Sequence, residues 1–298
     1  MALTALELVT HPRFYECIRE QSRMLLGMAA QNARHASVFS TQQRWLLAHL
    51  GLSLYFERTA ANPAGGLINA RFLELVREYD IASRNTADSF MKEMIHYKAI
   101  RYVSDIKGKR MRPLEPSEVT LAAVGGWLAI HLSVLDRLDG GGRTAAFGAD
   151  PERLLARVQP RIARGLLSSK AVREPEDTFS LFTWLNNGGI VMDSLIAGIS
   201  ETDPEADQVP TDVQSVADLA GRLMLSRTHL TRKLRSAEAM GSIGWTGRRG
   251  QSIMWVSRGF RQEYANAQAI KLAIIGEAFE AITGIDTPLS AALERAAG

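Results

Sequence analysis

Residues 215–257 carry the pattern that decides the fold, and they read SVADLAGRLMLSRTHLTRKLRSAEAMGSIGWTGRRGQSIMWVS. Apolar residues at helical spacing predict one helix through Val216 and Leu223, then a turn. A second helix is predicted to begin after Ser226, whose hydroxyl is a good N-terminal cap. Two short apolar stretches follow on either side of residues 247–250 (GRRG), and this spacing predicts a β-hairpin with a basic tip. The stretch is therefore predicted to form two helices joined by a turn and followed by a hairpin.

The second of these helices has a basic face that suits a polyanion. Leu230, Leu234 and Ala237 lie within about 60° of arc when each residue turns by about 100°, so they should face the core. The candidate DNA-contacting residues lie on the other side or at the hairpin tip: Arg227, Thr228, Thr231, Arg232, Arg235, Arg248 and Arg249. Arginine can fork onto guanine edges or phosphates, and threonine can contact phosphate oxygens or a thymine methyl group. The sequence alone leaves open a protein-interaction module in which these arginines are only solvated.

The distribution of charge points to the same stretch. The whole chain has a net charge of only +3, but residues 211–260 contain eight basic and three acidic residues. A local basic surplus on a balanced chain is the electrostatic footprint of a polyanion partner. A solvated surface is the alternative explanation of such a surplus.

An earlier part of the chain repeats this plan. An offset of 139 residues, which grows to 143–144 and includes one extra residue at Ala82, aligns the two parts in order. The matched positions are Trp45 with Trp184, Leu75 with Leu219, Tyr79 with Leu223, Ile81 with Leu225, Ser83 with Ser226, Ile100 with Ile243, Tyr102 with Trp245 and Met111 with Met254. Internal repetition of this kind predicts two copies of one unit. We expect a first repeat over residues 1–139, a Gly-rich linker over 140–149 and a second repeat over 150–298.

The first copy has a less basic face. Its helices are predicted at Phe72–Tyr79 and Asn85–His96, with Ser83 as the cap and Ala87, Met91 and Met94 facing inward. Its candidate DNA-contacting residues are Asn85, Ser89 and Lys92 on the helix and Lys107, Lys109 and Arg110 at the hairpin tip. Asp88 and Glu93 lie nearby in the sequence. Base reading by this helix and phosphate contact by its hairpin both remain open.

The rest of the chain is mostly helical by pattern. Further helices are predicted at Phe14–Ala33, Thr41–Arg58, Ser117–Leu138, Pro151–Ser168, Thr178–Ile199 and Arg261–Thr283, and the hairpin strands at Arg101–Ser104 with Met111–Leu114 and at Ile243–Thr246 with Ile253–Ser257. The predicted fold class is therefore mainly α with small β-hairpin wings, in which two winged helix-turn-helix segments are attached to a helical body of the dimerisation type.

Each copy resembles one protomer of the MarR family of bacterial winged-helix regulators, most specifically around Leu219–Ser257 and more weakly around Leu75–Leu114. The resemblance implies a transcriptional regulator that binds double-stranded DNA, with two copies fused into a monomeric pseudo-dimer. It also implies a small aromatic effector, bound between the helical body and the winged segments. The acidic–basic pair usual before the family's wing survives loosely as residues 105–107 (DIK) but is absent from residues 246–248 (TGR). A winged-helix interaction or effector-sensing module that has lost DNA recognition is the alternative function.

Composition and motifs exclude other classes. The chain has 298 residues, 46% hydrophobic and 22% charged, which is typical of a globular protein. No phosphate-binding loop, nucleophile elbow or paired histidine motif occurs, so we expect no enzyme, cofactor or metal site. We also predict no membrane-spanning segment and a cytoplasmic location. The single cysteine, Cys17, is either a redox sensor or a small packed side chain, and the tryptophans either pack in the core or line an effector pocket.

Overall fold

The computed structural model describes residues 2–31, 39, 41–58, 66–103, 112–175, 177–183, 187–199 and 205–284. Of the residues that the structure describes, 70% are helical, and the strands form two small antiparallel sheets, which confirms the mainly α prediction with small β-hairpins. In chain order the elements are α1 (Ala5–Thr10), α2 (Phe14–Gln31), α3 (Gln42–Phe56), α4 (Asn69–Glu78), α5 (Arg84–His96), β1 (Ile100–Tyr102), β2 (Leu114–Pro116), α6 (Glu118–Asp139), α7 (Arg143–Ala149), α8 (Pro151–Ser168), α9 (Lys170–Arg173), α10 (Asp177–Thr183), α11 (Gly188–Ala197), β3 (Gln208–Pro210), α12 (Val216–Arg222), α13 (Arg227–Ala239), β4 (Ile243–Trp245), β5 (Met254–Ser257) and α14 (Arg258–Thr283).

The chain divides into two compact units that cut across the predicted repeats. Unit one contains residues 1–3, 42–173 and 272–298, and unit two contains residues 4–41 and 174–271. Helix α14 begins in unit two and ends in unit one. The repeats were predicted from sequence matches and not from contacts, so their boundaries at residues 139 and 150 stay a prediction.

In unit one, the main helix pair is α3 with α8. Leu47 and Leu50 of α3 and Val158 and Ile162 of α8 are all buried. The buried amide of Gln159 lies with its Nε2 atom 2.9 Å from Nδ1 of His49, which satisfies a polar group inside this interface. Apolar burial along both helices is therefore what holds this pair together.

The Gly-rich stretch of unit one, predicted to be a linker, contains α7. The Asp136 carboxylate accepts the backbone N–H groups of Arg143 and Thr144, at 3.0 and 2.7 Å, and so caps the helix from the preceding one. The Arg143 side chain is fully buried and donates two hydrogen bonds to Asp139, at 2.8 and 2.7 Å, and one to Glu280 at 2.7 Å. Charge pairing therefore orders a segment whose glycines predict a flexible backbone.

In unit two, the main helix pair is α2 with α11. Phe14 and Ile18 of α2 and Val191 and Leu195 of α11 are buried. Cys17 is also buried, with 0% of its surface exposed, so it packs as a small core side chain.

A polar cluster lies within the same unit, where α14 meets α2 and α11. Tyr264 donates a hydrogen bond of 2.5 Å to Asp193, and its hydroxyl lies 2.8 Å from that of Ser22. Burial raises the pKa of the Asp193 carboxyl from 3.8 to about 6, and burial lowers the pKa of the Lys271 amine from 10.5 to about 8. Both shifts oppose the charged form, so each group is costly to ionise in the native state.

Both units pair helices from different halves of the sequence. In the predicted alignment α2 corresponds to α8, and α3 corresponds to α11. Yet α2 packs against α11, and α8 packs against α3. Unit two therefore contains α2, the first long helix of the first sequence half, and unit one contains α8, the first long helix of the second half.

The predicted helix bounds agree with the structure to within a few residues except in one place. The single helix expected at Thr178–Ile199 is wrong, because Asn187 adopts a left-handed conformation (φ 61°) ahead of α11. In the first hairpin, the second strand lies at Leu114–Pro116 rather than Met111–Leu114. Met111 lies outside the described residues.

Helix α6 is long and apolar enough to cross a membrane by length and composition alone, and the prediction of no membrane-spanning segment stays a prediction. It is 22 residues long, and no other helix in the described ranges is both as long and as apolar as a membrane span requires. Leu128, Leu132 and His131 of this helix are fully buried. Core helices of globular units have the same composition, so the test alone does not establish a span.

Candidate nucleic-acid interface

The second motif, residues 215–257, folds as two helices joined by a tight turn. Helix α12 ends at Arg222, and two residues later Met224 is left-handed (φ 51°), so that Leu225 N–H bonds to Ala220 C=O at 2.8 Å. This bond satisfies one of the free carbonyls at the helix end and redirects the chain into α13. Ser226 occupies the predicted cap position, but its side chain makes no capping hydrogen bond.

Helix α13 buries the face that the sequence predicted. Leu230, Leu234 and Ala237 are each no more than 1% exposed. Four of the predicted contact residues on this helix are exposed, namely Arg227, Thr228, Arg232 and Arg235, and Thr231 is half-buried. In the part of the chain that the structure describes, none of these arginines has an ion-pair partner. Their charges are therefore available to a polyanion without first breaking a salt bridge.

The hairpin after α13 is built on two paired strands. Strand β4 pairs with β5, and β5 also pairs with β3 to give an antiparallel sheet in the order β3-β5-β4. Gly244 is required because a Cβ atom there would lie 2.2 Å from the Trp255 ring. At the tip, Arg248 is exposed, and its carbonyl accepts Gln251 N–H at 3.0 Å.

One acidic residue joins the hairpin to α13. Glu238 Oε1 accepts the indole N–H of Trp245 at 2.9 Å and the Nε–H of Arg249 at 3.0 Å, and Oε2 lies 2.9 Å from the same Nε atom. The acidic–basic pair usual before the wing of the MarR family is absent from residues 246–248. Glu238, on the helix, supplies the carboxylate instead.

The first motif, residues 69–116, has the same turn geometry. Asp80 is left-handed (φ 51°), and Ile81 N–H bonds to Val76 C=O at 3.0 Å. Here the cap is complete, since Ser83 Oγ accepts Thr86 N–H at 3.2 Å. The inward residues of α5 are those predicted, Ala87, Met91 and Met94, together with Phe90.

The exposed face of α5 is electrostatically weaker. Asn85, Ser89 and Lys92 are exposed as predicted, but Lys92 Nζ lies 2.7 Å from Asp88 Oδ2. The hydrogen bond from Lys92 and another from Asn69 hold the pKa of Asp88 below its ordinary value, and the same bond raises the pKa of Lys92. Lys107, Lys109 and Arg110, the predicted hairpin contacts, lie outside the described residues.

A cleft of about 340 Å³ opens beside α5 in unit one. Its lining comprises Arg44, Leu47, Asn85, Thr86, Ser89, Phe90 and Glu93. Arg44 forms an ion pair of 2.5 Å with Glu93, and its guanidinium lies 5.5 Å from the centre of the Phe90 ring. Two of the predicted contact residues, Asn85 and Ser89, thus also line a cleft, which the sequence did not indicate.

The aromatic residues of unit one pack among themselves. Trp127 lies 6.2 Å from Trp45, 5.1 Å from His49 and 4.3 Å from His131, measured between ring centres. These contacts favour the core-packing interpretation of Trp45 and Trp127. Trp184 lies outside the described residues. Among the residues that the structure describes, no group of three or more His, Cys, Asp or Glu side chains could hold a metal ion.

Comparisons with family models, with curated proteins and with solved structures return no match for this chain. What the surface does must follow from its own geometry and charge.

Proposed function

We propose that the chain is a sequence-specific regulator that binds double-stranded DNA through two winged helix-turn-helix segments of the MarR type. The observation that carries this proposal is the exposed face of α13, which presents Thr228, Arg232 and Arg235 beside a basic hairpin. Among the residues that the structure describes, neither arginine has an ion-pair partner. Such a regulator acts by binding, without catalysis, cofactor or metal. We place it in the bacterial cytoplasm, where its DNA would be.

The dimensions and chemistry of this face suit a major groove. A 13-residue helix is about 20 Å long and about 10 Å wide, and the groove is about 12 Å wide. Thr228, Arg232 and Arg235 are spaced by four and three residues, so they project from one side. Arginine forks onto guanine O6 and N7, and the hairpin arginines can contact the flanking backbone.

The two motifs in one chain would do the work of two protomers. A homodimer has two identical reading helices, whereas this chain has Asn85, Ser89 and Lys92 on one and a more basic set on the other. We therefore propose that a single chain acts as an intramolecular pseudo-dimer on a site whose halves differ.

The decisive experiment is selection of bound sequences from random duplex DNA, followed by affinity measurement on the selected site. The intact chain should bind that site at least a thousandfold more tightly than random DNA, the usual order for specific binders. Arg232→Ala should remove much of this difference. Arg23→Ala is the matched control, since Arg23 is an exposed arginine of α2 in the same unit. Micromolar binding without sequence preference would refute the proposal.

A second candidate function is effector sensing without DNA recognition, and the cleft beside α5 favours it. A small aromatic acid would pair with Arg44 in place of Glu93, whose carboxylate lies 2.5 Å from the Arg44 guanidinium and also lines the cleft. Calorimetric titration with benzoate tests this, with Arg44→Ala as the variant that should lose binding. Binding of benzoate by a chain that selects no DNA sequence would favour this candidate over the first.

A further inference from the structure

We infer that Glu238 is a positioning residue, which fixes the second hairpin against α13 so that Arg249 contacts a DNA phosphate. This inference rests on the proposed function and concerns how the same surface is assembled. Glu238 itself would touch no DNA.

The geometry shows one carboxylate joining three elements. Glu238 lies in the last turn of α13, Trp245 ends strand β4, and Arg249 lies at the hairpin tip. The carboxylate accepts from both the indole and the guanidinium at 2.9–3.0 Å, and its side chain is only 22% exposed. Partial burial shields this ion pair from solvent screening more than a surface pair. A hairpin tethered in this way is restrained relative to the reading helix.

The tether leaves the useful end of Arg249 available. Its two hydrogen bonds to Glu238 use only the Nε–H. In the described part of the chain, neither terminal nitrogen of this guanidinium has a recorded hydrogen bond, and 35% of the side chain is exposed. A guanidinium has five N–H donors, so four remain for phosphate oxygens.

In the described part of the first motif, no carboxylate takes the position of Glu238. The turn bonds Ala99 N–H to Met94 C=O and Ser242 N–H to Ala237 C=O are equivalent, so Ile95 takes the place of Glu238. Tyr102 takes the place of Trp245, and 46% of its surface is exposed. The tether is therefore a property of the more basic motif, which is the one proposed to read bases.

If the role of Glu238 were purely electrostatic, its removal would change the DNA affinity in the opposite direction. If Glu238 only neutralised Arg249, its removal would release a cation and reduce repulsion of DNA, and binding would become tighter. If Glu238 positions Arg249, its removal costs one phosphate contact and binding becomes weaker. The sign of the change separates the two.

The test uses the full chain with Glu238→Gln, Arg249→Ala and the double variant. Glutamine keeps one acceptor oxygen, which can serve Trp245. Its neutral amide removes the ion pair with Arg249 and places an NH2 donor where the second carboxylate oxygen accepted the Arg249 Nε–H. We expect Glu238→Gln to weaken binding roughly fivefold at 0.15 M salt, on selected and random DNA alike, and to lower the salt slope by about one. The double variant should bind no more weakly than Arg249→Ala alone.

Two readouts separate the possible failures. Circular dichroism should show an unchanged melting temperature, and tryptophan fluorescence of Glu238→Gln should stay close to that of the unaltered chain and differ from that of Trp245→Phe, because glutamine keeps the acceptor for Trp245. Equal or tighter binding by Glu238→Gln, or additive effects in the double variant, would overturn the inference and leave the proposed function standing. Absence of DNA binding by the unaltered chain would overturn both.

Discussion

Lys92 Nζ lies 2.7 Å from Asp88 Oδ2 on the exposed face of α5, and this ion pair marks the main electrostatic difference between the two motifs. The corresponding position on α13 is Arg235, which has no such partner within the described ranges. A lysine that is already paired must give up its partner before it binds a phosphate. Lys92 should therefore add less affinity for DNA than Arg235.

The two cap positions offer a matched pair of substitutions. Ser83 Oγ accepts Thr86 N–H, whereas Ser226 makes no side-chain capping bond. Ser83→Ala should lower the free energy of unfolding by about 1 kcal/mol, and Ser226→Ala should change it by less than about 0.5 kcal/mol. Urea denaturation of the two variants checks this. Equal losses would mean that Ser226 does cap α13 in solution.

Arg143 should be among the most sensitive positions in unit one. Replacing it with Met removes a buried cation and breaks its ion pairs with the buried Asp139 and the nearly buried Glu280. Loss of one partner from a buried pair costs about 3–5 kcal/mol. The control is Arg153→Met, whose side chain is 73% exposed and lies 3.7 Å from Asp150, and which should cost less than about 1 kcal/mol. Similar losses in both variants would contradict the conclusion that the buried ion pairs of Arg143 stabilise unit one.

Stability should depend on pH through Asp193. Burial raises the pKa of its carboxyl from 3.8 to about 6, so the native state binds this proton more tightly than the unfolded state. The stabilisation is complete below pH about 4 and is lost as pH rises through about 6. Relative to Asp193→Asn, the intact chain should lose about 1–3 kcal/mol of unfolding free energy across that window.

Denaturation at pH 4 and pH 7 measures this difference. Tyr264→Phe should move the decline to higher pH, because the hydrogen bond from Tyr264 lowers the pKa of Asp193. A parallel pH dependence in the intact chain and Asp193→Asn would show that the carboxyl is not buried in solution.

The sequence predicted local structure better than tertiary pairing. It aligned Ile81 with Leu225 and inserted one residue at Ala82, and the structure gives the two turns the same left-handed residue and the same closing hydrogen bond. Turn chemistry and helical periodicity are short-range properties, so they can be read from one segment. An apolar helix face shows only that a partner exists. It could not reveal that α2 packs against α11 and α8 against α3.

In the candidate site, too, local structure could be predicted from the sequence and contacts between elements could not. The exposed and buried faces of α13 followed from spacing, but the contact of Glu238 with Arg249 joins a helix to a hairpin tip eleven residues away. Arg143 was read as part of a linker because glycines surround it, while the carboxylates that order it come from α6 and α14. Side-chain pairing across elements depends on tertiary geometry, which a single sequence does not display.

Base readers and phosphate contacts should respond differently to substitution. Arg232→Ala removes a proposed base contact, so it should cost about 1–3 kcal/mol on the selected site and little on random DNA. Arg248→Ala removes an exposed arginine of the hairpin tip, so it should weaken binding to both and lower the salt slope by about one. Fluorescence polarisation between 0.05 and 0.3 M salt, on both DNAs, measures the two effects. Equal losses from both variants on both DNAs would show that the assigned roles are wrong.

The last prediction concerns the symmetry of the bound site. Asparagine pairs best with adenine and arginine with guanine, so reading helices that carry Asn85 and Arg232 should select different half-sites. We expect one chain to bind one asymmetric site, with the stricter half read by the second motif. Sequences selected by Asn85→Ala should lose preference in one half only, and those selected by Arg232→Ala in the other half only. Sedimentation of the complex should give one chain per duplex. A palindrome bound by two chains, each through its second motif, would show instead that the first motif does not read DNA.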